Sequence, residues 1–237
     1  MRTIHALSLL ELWERGNSRH AIDRSALLCA WARPELPVET IGDLPLGEIT
    51  SNLLQLRSAW FGERIDAHVD CEHCGERLEL VVSVRELLRG SDSATGSRDV
   101  VVAGVNCRLP CLRDLAAISK ERDSGSAIRQ LVARCLRDPV SDNADALSEE
   151  RLREVEDALE KADPNADLAF DVRCEVCGNL GTAQLDIGEL LWDEINVRAR
   201  ALLGEVHLLA RAYGWTESEI LGLSGERRAW YLSMVAA

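Results

Sequence analysis

The feature that most constrains how this chain can fold is a pattern, C-x-x-C-G, that occurs twice, with a separation of 103 residues. The first copy begins at Cys71 and the second at Cys174. Residues 67–88 align with 170–191 at eight identical positions, and apolar and polar residues alternate before each first cysteine. Such alternation is typical of a half-buried strand. The sequence therefore predicts two copies of a unit made of a strand, a turn, a second strand and the start of a helix.

The chemistry of this pattern predicts a metal site. A turn between two strands directs both thiols of a C-x-x-C pair to one point, and the following glycine lets backbone amides face the sulfur atoms. Two such knuckles can share one tetrahedral ion. We predict one structural Zn²⁺ bound by the thiolates of Cys71, Cys74, Cys174 and Cys177. Four protein ligands leave no position for a reactive water, so hydrolytic zinc chemistry is not expected.

Three other interpretations of the cysteine pairs are open from sequence. A redox C-x-x-C of the thioredoxin type normally leads directly from a strand into a helix, whereas a second strand follows each pair here. The thiols could also be free, in a site that has lost its metal. Disulfides within each pair are the third interpretation, and they are rare in reducing compartments. Zinc-binding pairs are usually about 15–20 residues apart, so the longer separation predicts an inserted, mostly helical lobe.

The charge of the chain argues against several classes of partner. The formal net charge is −13, and no basic stripe is evident, which disfavours nucleic acid and anionic membrane surfaces. No apolar run reaches the roughly 18 residues of a transmembrane helix. Glu11 and Glu14 interrupt the apolar residues near the N-terminus, unlike a signal peptide. We therefore expect a cytoplasmic protein whose cysteines are thiols or metal ligands.

The predicted fold class is α+β and mostly α-helical. Helical spacing of apolar residues marks 3–16, 22–32, 44–62, 148–163 and 187–212, whereas 33–45, 89–99 and 138–148 have the composition of loops. Five segments follow: an N-terminal helical region (1–62), a first zinc knuckle (63–90), an inserted strand and helical lobe (91–166), a second zinc knuckle (167–191), and a long helix with a C-terminal helical hairpin (192–237). We expect the two knuckles to form a zinc-ribbon-like core.

No catalytic constellation is evident in the sequence. His73 lies inside the first knuckle, but its counterpart is Val176, so we interpret it as an exposed loop residue. His207 lies on the long helix without a nucleophile or second base, and we interpret it as a packing or hydrogen-bonding residue. The patterns G-x-S-x-G and H-E-x-x-H and the Gly-rich phosphate-binding loops do not occur. We therefore predict that the protein is not an enzyme and has no small-molecule substrate.

The other four cysteines are predicted to be structural. Cys107 and Cys111 are separated by three residues that include Pro110, and we interpret both as small core or helix-start residues. A second metal site is the alternative for this pair. Cys29 and Cys135 fall on apolar helix faces and are predicted to be core residues.

The C-terminal stretch 202–235 carries a second distinctive pattern. Its positions are Glu205, His207, Leu209, Ala210, Tyr213, Trp215, Thr216, Glu219, Ile220, Leu221, Leu223, Arg227, Arg228, Tyr231 and Leu232. Together with "LLQLRSAWFGERIDAHVDCEHCGERLEL" and "CRLPCLRDLAAI", this pattern resembles baseplate proteins of contractile phage tails and phage-tail-like contractile injection systems, in the group related to hub assembly proteins. The resemblance covers most of 44–235. Cys111 departs from it, because a threonine is expected there.

This resemblance implies a structural or assembly role at a baseplate, with hub or spike proteins as partners. Aromatic residues combined with arginine are typical anchors of protein–protein interfaces. The predicted partner-binding residues are Tyr213, Trp215, Arg227, Arg228, Trp230 and Tyr231. The same residues could instead pack the hairpin onto the long helix. The alternative function is a zinc-ribbon adaptor or regulator of transcription or nucleic acid, which the net charge disfavours. The expected location is the cytoplasm or an assembled tail-like particle.

Overall fold

The computed structural model of the protein describes residues 5–91, 98–102, 105–137 and 148–235. Its elements in chain order are α1 (Ala6–Asn17), α2 (Ala21–Ala32), α3 (Val38–Ile41), α4 (Leu46–Phe61), β1 (Arg64–Asp70), β2 (Arg77–Ser83), α5 (Val84–Ser91), β3 (Asp99–Val102), β4 (Val105–Arg108), α6 (Leu112–Ile118), α7 (Ser124–Cys135), α8 (Glu149–Ala162), β5 (Ala169–Arg173), β6 (Leu180–Gln184), α9 (Ile187–Tyr213), α10 (Glu217–Gly222) and α11 (Gly225–Val235). The α+β, mostly helical class predicted from sequence is confirmed.

The chain divides into two compact units. The larger unit spans Ala21–Glu189, and the terminal unit combines Met1–His20 with Leu190–Ala237. The division falls in the first turn of α9, so this helix belongs to both units. The five segments predicted from sequence follow the chain instead, and the predicted N-terminal region contributes residues to each unit.

The strands of the described chain form three antiparallel hairpins, β1–β2, β3–β4 and β5–β6. In β1–β2, Asp70 pairs with Arg77 at the end nearest the turn, and in β5–β6, Arg173 pairs with Leu180. Each C-x-x-C pair therefore occupies the turn of its hairpin, as the sequence predicted. Ile65 on β1 is fully buried, so the alternating pattern does place one strand face in the core.

The inserted lobe between the knuckles has its own small core. One strand hairpin and two helices bury apolar side chains against each other in a single cluster that contains Val105, Cys107, Val132, Leu136, Leu152, Val155 and Leu159. Leu152, Val155 and Leu159 recur at helical spacing on α8, whose other positions are largely charged and exposed. Ser148 caps this helix by accepting a hydrogen bond from the Arg151 amide.

Two segments of the inserted lobe form hydrogen bonds with the first turn of α4. The Leu46 amide donates to the Pro110 carbonyl at 3.0 Å, and the Gly47 amide donates to Asp163 Oδ2 at 2.9 Å. A Cβ at Gly47 would lie 1.8 Å from Asp163 Oδ1, so only glycine leaves room for this carboxyl group. Burial raises the pKa of Asp163, and the positive end of α4 is the favourable place for its charged form. The first turn of α4 thus binds Pro110 and Asp163, two residues that are far apart in the sequence.

The buried carboxylate of Asp114 connects three elements of the inserted lobe through hydrogen bonds. Asp114 has no exposed surface and accepts hydrogen bonds from Arg108 at 2.6 and 2.8 Å, from Arg134 at 3.0 Å and from the Cys111 amide at 3.0 Å. Burial by itself would raise the pKa of Asp114, but hydrogen bonds from Arg108 and Cys111 outweigh it and hold the pKa at about 2. The network joins β4, α6 and α7 through one charged group.

The terminal unit is built from α1, α9, α10 and α11. The Trp13 indole donates to Asn196 Oδ1 at 2.9 Å and so links α1 to α9. Thr216 and Glu219 form the capping box predicted at the start of α10, and Gly214, with a φ of +70°, ends the long helix. The buried apolar side chains of this unit include Leu9, Leu12, Leu191, Ile195, Leu202, Leu209 and Ile220.

Two differences from the sequence-based expectations concern loops. The stretch 33–45 was expected to be irregular, yet it contains α3, one helical turn that follows Pro37 and is closed by a hydrogen bond from Thr40 Oγ1 to the Pro37 carbonyl. The central parts of the loops expected at 89–99 and 138–148 lie outside the described residues. Among the helices that are described, none combines the length and apolarity needed to cross a membrane.

We expect Asp114→Asn to destabilise the protein by about 2–4 kcal/mol, because it leaves Arg108 and Arg134 facing a neutral group in a buried network. Urea unfolding followed by circular dichroism measures this change. The matched control is Asp43→Asn, since Asp43 forms an ion pair with Arg113 at 2.7 Å between exposed side chains. That variant should lose about 1 kcal/mol at most. Equal losses in the two variants would contradict the bracing role of Asp114.

Candidate metal centre

The first cysteine turn is a tight loop closed by backbone hydrogen bonds. The Cys71 amide donates to the Glu76 carbonyl at 2.8 Å, and the Gly75 amide donates to the Cys71 carbonyl at 2.8 Å. Gly75 has a φ of +73°, a left-handed conformation that residues with a Cβ adopt at a cost. The glycine of the pattern is therefore required by the backbone path that turns the chain between the two thiols.

The second turn repeats the first in each of these respects. The Cys174 amide donates to the Asn179 carbonyl at 2.9 Å, and the Gly178 amide donates to the Cys174 carbonyl at 2.9 Å. Gly178 also has a φ of +73°. The internal repeat detected in the sequence is thus a repeat of backbone geometry as well as of residue types.

The two turns face each other and bring four thiols together. The sulfur atoms of Cys71, Cys74, Cys174 and Cys177 all lie within 4.8 Å of one another. Between the knuckles, the sulfur atoms of Cys71 and Cys177 lie 3.7 Å apart, and those of Cys74 and Cys174 lie 3.6 Å apart. A tetrahedron with Zn–S bonds of about 2.3 Å has S···S edges of about 3.8 Å. The four thiols therefore have the spacing that one tetrahedral ion needs.

Hydrogen bonds from backbone amides lower the pKa values of knuckle cysteines, whereas neighbouring thiols can raise them. The amides of Cys74 and His73 donate to the Cys71 sulfur and lower its pKa to about 7. At Cys74 the Glu76 amide acts in the same direction, but hydrogen bonding with the Cys177 thiol, burial and the other thiols outweigh it and raise the pKa to about 12. Four thiolates at this spacing would repel one another, and a bound divalent cation would offset that repulsion.

The burial of the four thiols differs between the two positions of each pair. Cys71 and Cys174, the first of each pair, are buried, whereas Cys74 and Cys177 are exposed. All eight cysteines are free, and the inter-knuckle sulfur distances are far beyond the roughly 2.05 Å of a disulfide. A second strand follows each pair, unlike the strand-to-helix arrangement of a thioredoxin-type site. The four thiols form a closed ligand set that could hold one metal ion.

Most of the other candidate residues lie where the sequence placed them, but His207, which was predicted to pack or to form a hydrogen bond, is exposed on α9. His73 is exposed in its turn. Cys107 belongs to the core of the inserted lobe, and Cys111 is the N-cap residue of α6. Cys29 and Cys135 are buried. Among the described residues, the four knuckle cysteines form the one group of three or more ligands that could hold a metal ion.

The predicted partner-binding residues separate into internal and outward-facing groups. Tyr213 stacks on Trp215 with ring centroids 4.7 Å apart, and Tyr231 packs edge-on against both. Trp230 is 70% exposed and lines a groove of about 310 Å³ with Arg227. The contacts among Tyr213, Trp215 and Tyr231 therefore hold the C-terminal hairpin together, although Tyr213 remains 39% exposed, and Trp230 lies largely on the surface.

Arg228 differs from the other five predicted partner-binding residues, because it is only 4% exposed. Its guanidinium donates to Glu205 at 2.9 Å and to the Leu223 carbonyl at 2.7 Å. This side chain fastens α11 to α9 and offers almost no surface to a partner. The sequence pattern alone could not separate Arg227, which is exposed, from its buried neighbour.

The sequence-based reasoning assigned no role to Asp114 or Asp163, although each is a buried carboxyl group that joins distant segments. A signal for the first was present. Asp114 and Arg108 lie at the two ends of the R-L-P-x-x-x-D-L segment, where a charged pair flanks apolar residues. No local signal marks Asp163, whose partner is 116 residues away.

Comparison with known proteins gives no significant match: no family model matches the chain, and no curated protein or solved structure is significantly similar to it.

We expect the purified protein to contain about one equivalent of zinc, and Cys174→Ser to lose most of it together with thermal stability, because structural zinc contributes directly to folding. Elemental analysis and thermal unfolding test this. The matched control is His73→Ala, an exposed side chain in the opposite turn, which should keep metal and stability. Two equivalents of metal, or full metal content in Cys174→Ser, would rule out the shared site.

We expect Gly75→Ala and Gly178→Ala each to cost about 1–2 kcal/mol and to weaken metal retention against a chelator, because alanine is strained at a φ of +73°. The contrasting variant is Gly204→Ala on α9, where an added Cβ meets nothing within 4 Å. It should stabilise the protein by about 1 kcal/mol through helix propensity. A destabilisation shared by all three variants would mean that backbone strain is not the cause.

Proposed function

We propose that the protein is a zinc-stapled structural or assembly component of the baseplate of a contractile, phage tail-like injection system, and that it acts through protein–protein contacts. The observation that carries the structural part is the cluster of four thiols, two from each hairpin. Such a cluster would give a zinc-ribbon-like core whose ion is fully ligated by the protein. A site of this kind stabilises a fold and leaves no coordination position for a substrate.

Zinc is the proposed ion because of the ligand chemistry. Thiolates bind soft or borderline metals, and a tetrahedral set of four sulfurs is typical of zinc or of iron–sulfur centres. Hydrogen bonds from the amides of His73 and Cys74 to the Cys71 sulfur are the outer contacts that orient and stabilise metal-bound thiolates. Nothing in this environment requires a change of oxidation state, so a redox-inert ion is sufficient for the proposed role.

The baseplate part of the proposal rests on the sequence pattern of 202–235. In the structure, several residues of that pattern stabilise the C-terminal hairpin: Thr216 with Glu219 caps α10, and Glu205 holds Arg228. The same hairpin exposes Trp230 beside Arg227. A rigid support under an exposed tryptophan and arginine is the arrangement expected of a protein-binding anchor, which supports a docking role for this element.

A role in binding nucleic acid receives little support. The net charge of −13 would repel phosphate groups. A base-stacking platform needs several aromatic faces open to solvent, whereas Tyr213, Trp215 and Tyr231 pack against one another. Contacts with other proteins are therefore the better explanation for this hairpin.

The proposal is tested by co-expressing the tagged protein with the hub, tube and spike proteins of a contractile tail-like system from the same genome. We expect a hub or spike protein to co-purify, and Trp230→Ala to weaken the complex by about tenfold or more, as interface tryptophans commonly do. The matched control is Leu180→Ala, at an exposed apolar residue on β6, which should have no effect. In a parallel titration with duplex DNA we expect no salt-sensitive binding. Tight salt-sensitive DNA binding without any baseplate partner would overturn the proposal.

A further inference from the structure

The thiol cluster has one side that is open to solvent. Cys74 and Cys177, the second cysteine of each pair, are exposed, whereas Cys71 and Cys174 are buried. An ion bound to all four sulfurs would be covered on the side of the buried pair and reachable by small solutes on the side of the exposed pair. Zinc holds its cysteine ligands as thiolates, which is the form that reacts with oxidants.

Each exposed thiol lies beside the buried thiol of the opposite knuckle. The sulfur of Cys74 is 3.6 Å from that of Cys174, and the sulfur of Cys177 is 3.7 Å from that of Cys71. Cysteines that respond to oxidants are typically exposed and lie next to a second thiol that resolves the first oxidation product. The cluster contains two such pairs, and both of them connect the knuckles.

The four cysteines outside the knuckles lack this arrangement. Cys29, Cys107, Cys111 and Cys135 are all buried, and Cys29 also accepts a hydrogen bond from the Asn52 side-chain amide at 3.7 Å. Burial in the core protects a thiol from dissolved oxidants. Oxidation of the folded protein should therefore be confined to the knuckles, and the other four thiols serve as internal controls.

We propose that the thiol cluster is an oxidation site for hydrogen peroxide, which converts it from a zinc-bound link into two disulfides that join the knuckles. The disulfides are Cys74–Cys174 and Cys71–Cys177. This inference rests on the zinc site of the proposed function and deepens it by adding the regulation of that site. The ion is lost on oxidation, but the connection between the hairpins β1–β2 and β5–β6 is kept.

The oxidation has two steps at each pair. The exposed thiolate attacks one oxygen of the peroxide, the O–O bond breaks, the sulfur becomes a sulfenic acid, and the leaving hydroxide takes up a proton to form water. The buried thiolate then attacks the sulfenic sulfur, the S–O bond breaks, and the second hydroxide also leaves as water. Two peroxides and four protons thus convert four thiolates into two disulfides and four waters. Zinc is released because disulfide sulfurs no longer carry the negative charge that binds it.

A disulfide within one knuckle is the competing product. In the first knuckle it would have to close inside a turn that is already fixed by hydrogen bonds from the Cys71 and Gly75 amides and by the left-handed Gly75. Such a disulfide would also leave the hairpins unconnected, because no strand pairing joins them within the described residues. The two possible products therefore have opposite effects on the link between the hairpins.

The test uses the full-length, zinc-loaded protein and hydrogen peroxide. A chromogenic chelator reports released zinc, and mass spectrometry of unreduced peptides, after alkylation of the remaining thiols in denaturant, identifies each disulfide. We expect peroxide to release most of the bound zinc, whereas buffer alone releases little, and to form Cys74–Cys174 and Cys71–Cys177. The four buried cysteines outside the knuckles should be recovered reduced, which shows that the fold remained intact during oxidation.

Thermal unfolding gives a second readout. The oxidised, zinc-free protein should unfold about 5 °C or more above protein that a chelator has stripped of zinc under reducing conditions, because disulfides between the knuckles restrict the unfolded chain. Addition of a thiol reductant and zinc should restore the metal content. If the oxidised and stripped proteins unfold at the same temperature, the oxidised cluster does not link the hairpins and the inference is overturned.

Two matched double variants compare the possible pairings directly. Cys74→Ser with Cys174→Ser leaves Cys71 and Cys177, one thiol on each knuckle, whereas Cys174→Ser with Cys177→Ser leaves Cys71 and Cys74 on the same knuckle. Both variants retain one buried and one exposed thiol. We expect peroxide to form the disulfide about tenfold or more faster in the first variant than in the second. Equal rates, or a faster reaction in the second, would contradict the proposed pairing.

The outcomes separate this inference from the proposed function. Zinc that stays bound in peroxide, or disulfides that form within the knuckles, overturns the inference even if a baseplate protein co-purifies. Zinc release with disulfides between the knuckles supports the inference even if no baseplate partner is found, a result that contradicts only the baseplate role. A protein that takes up no zinc overturns the inference together with the zinc part of the proposed function.

Discussion

The cluster of four thiols brings together two hairpins of the larger unit that share no sheet. The hairpins β1–β2 and β5–β6 are separate two-stranded sheets, and no strand pairing joins them within the described residues. A two-stranded hairpin is marginally stable alone in water. The inter-knuckle approach of Cys71 to Cys177 and of Cys74 to Cys174 places the link between them in the turns. A metal ion bound to the four thiols would link the two hairpins in place of strand pairing.

An ion bound by both knuckles would close a very long loop of chain. Hydrogen bonds to the first turn of α4 reduce the flexible length of this loop. Closing a flexible loop of about one hundred residues carries an entropy cost of several kcal/mol. Leu46 and Gly47 hold the inserted lobe at Pro110 and Asp163, near the two ends of its folded part. The lobe is therefore a folded insert with fixed ends, and the metal centre has to order much less chain than the sequence separation suggests.

The features that were predicted correctly from the sequence depend on the spacing of nearby residues. The features that were missed depend on contacts between residues far apart in the chain. The knuckles, the capping box at Thr216 and the bounds of α4 follow from short patterns, and all are present. The repeat made the pairing of Cys71 with Cys177 predictable despite their separation. Asp163 and Gly47 share no repeat or pattern, so only the folded chain brings them together. Likewise, the exposed Arg227 and the buried Arg228 differ by the direction of one side chain on α11.

The features that stabilise the fold and the surface proposed to bind partners lie in different units. The thiol cluster, the Asp114 network and the fastening at α4 all belong to Ala21–Glu189, which also carries the negative charge. The exposed Trp230 belongs to the terminal unit, whose charges balance. Helix α9 connects the two, because it starts just after the second knuckle and continues to Tyr213. The helix therefore begins in the unit that carries the thiol cluster and continues into the unit that carries Trp230.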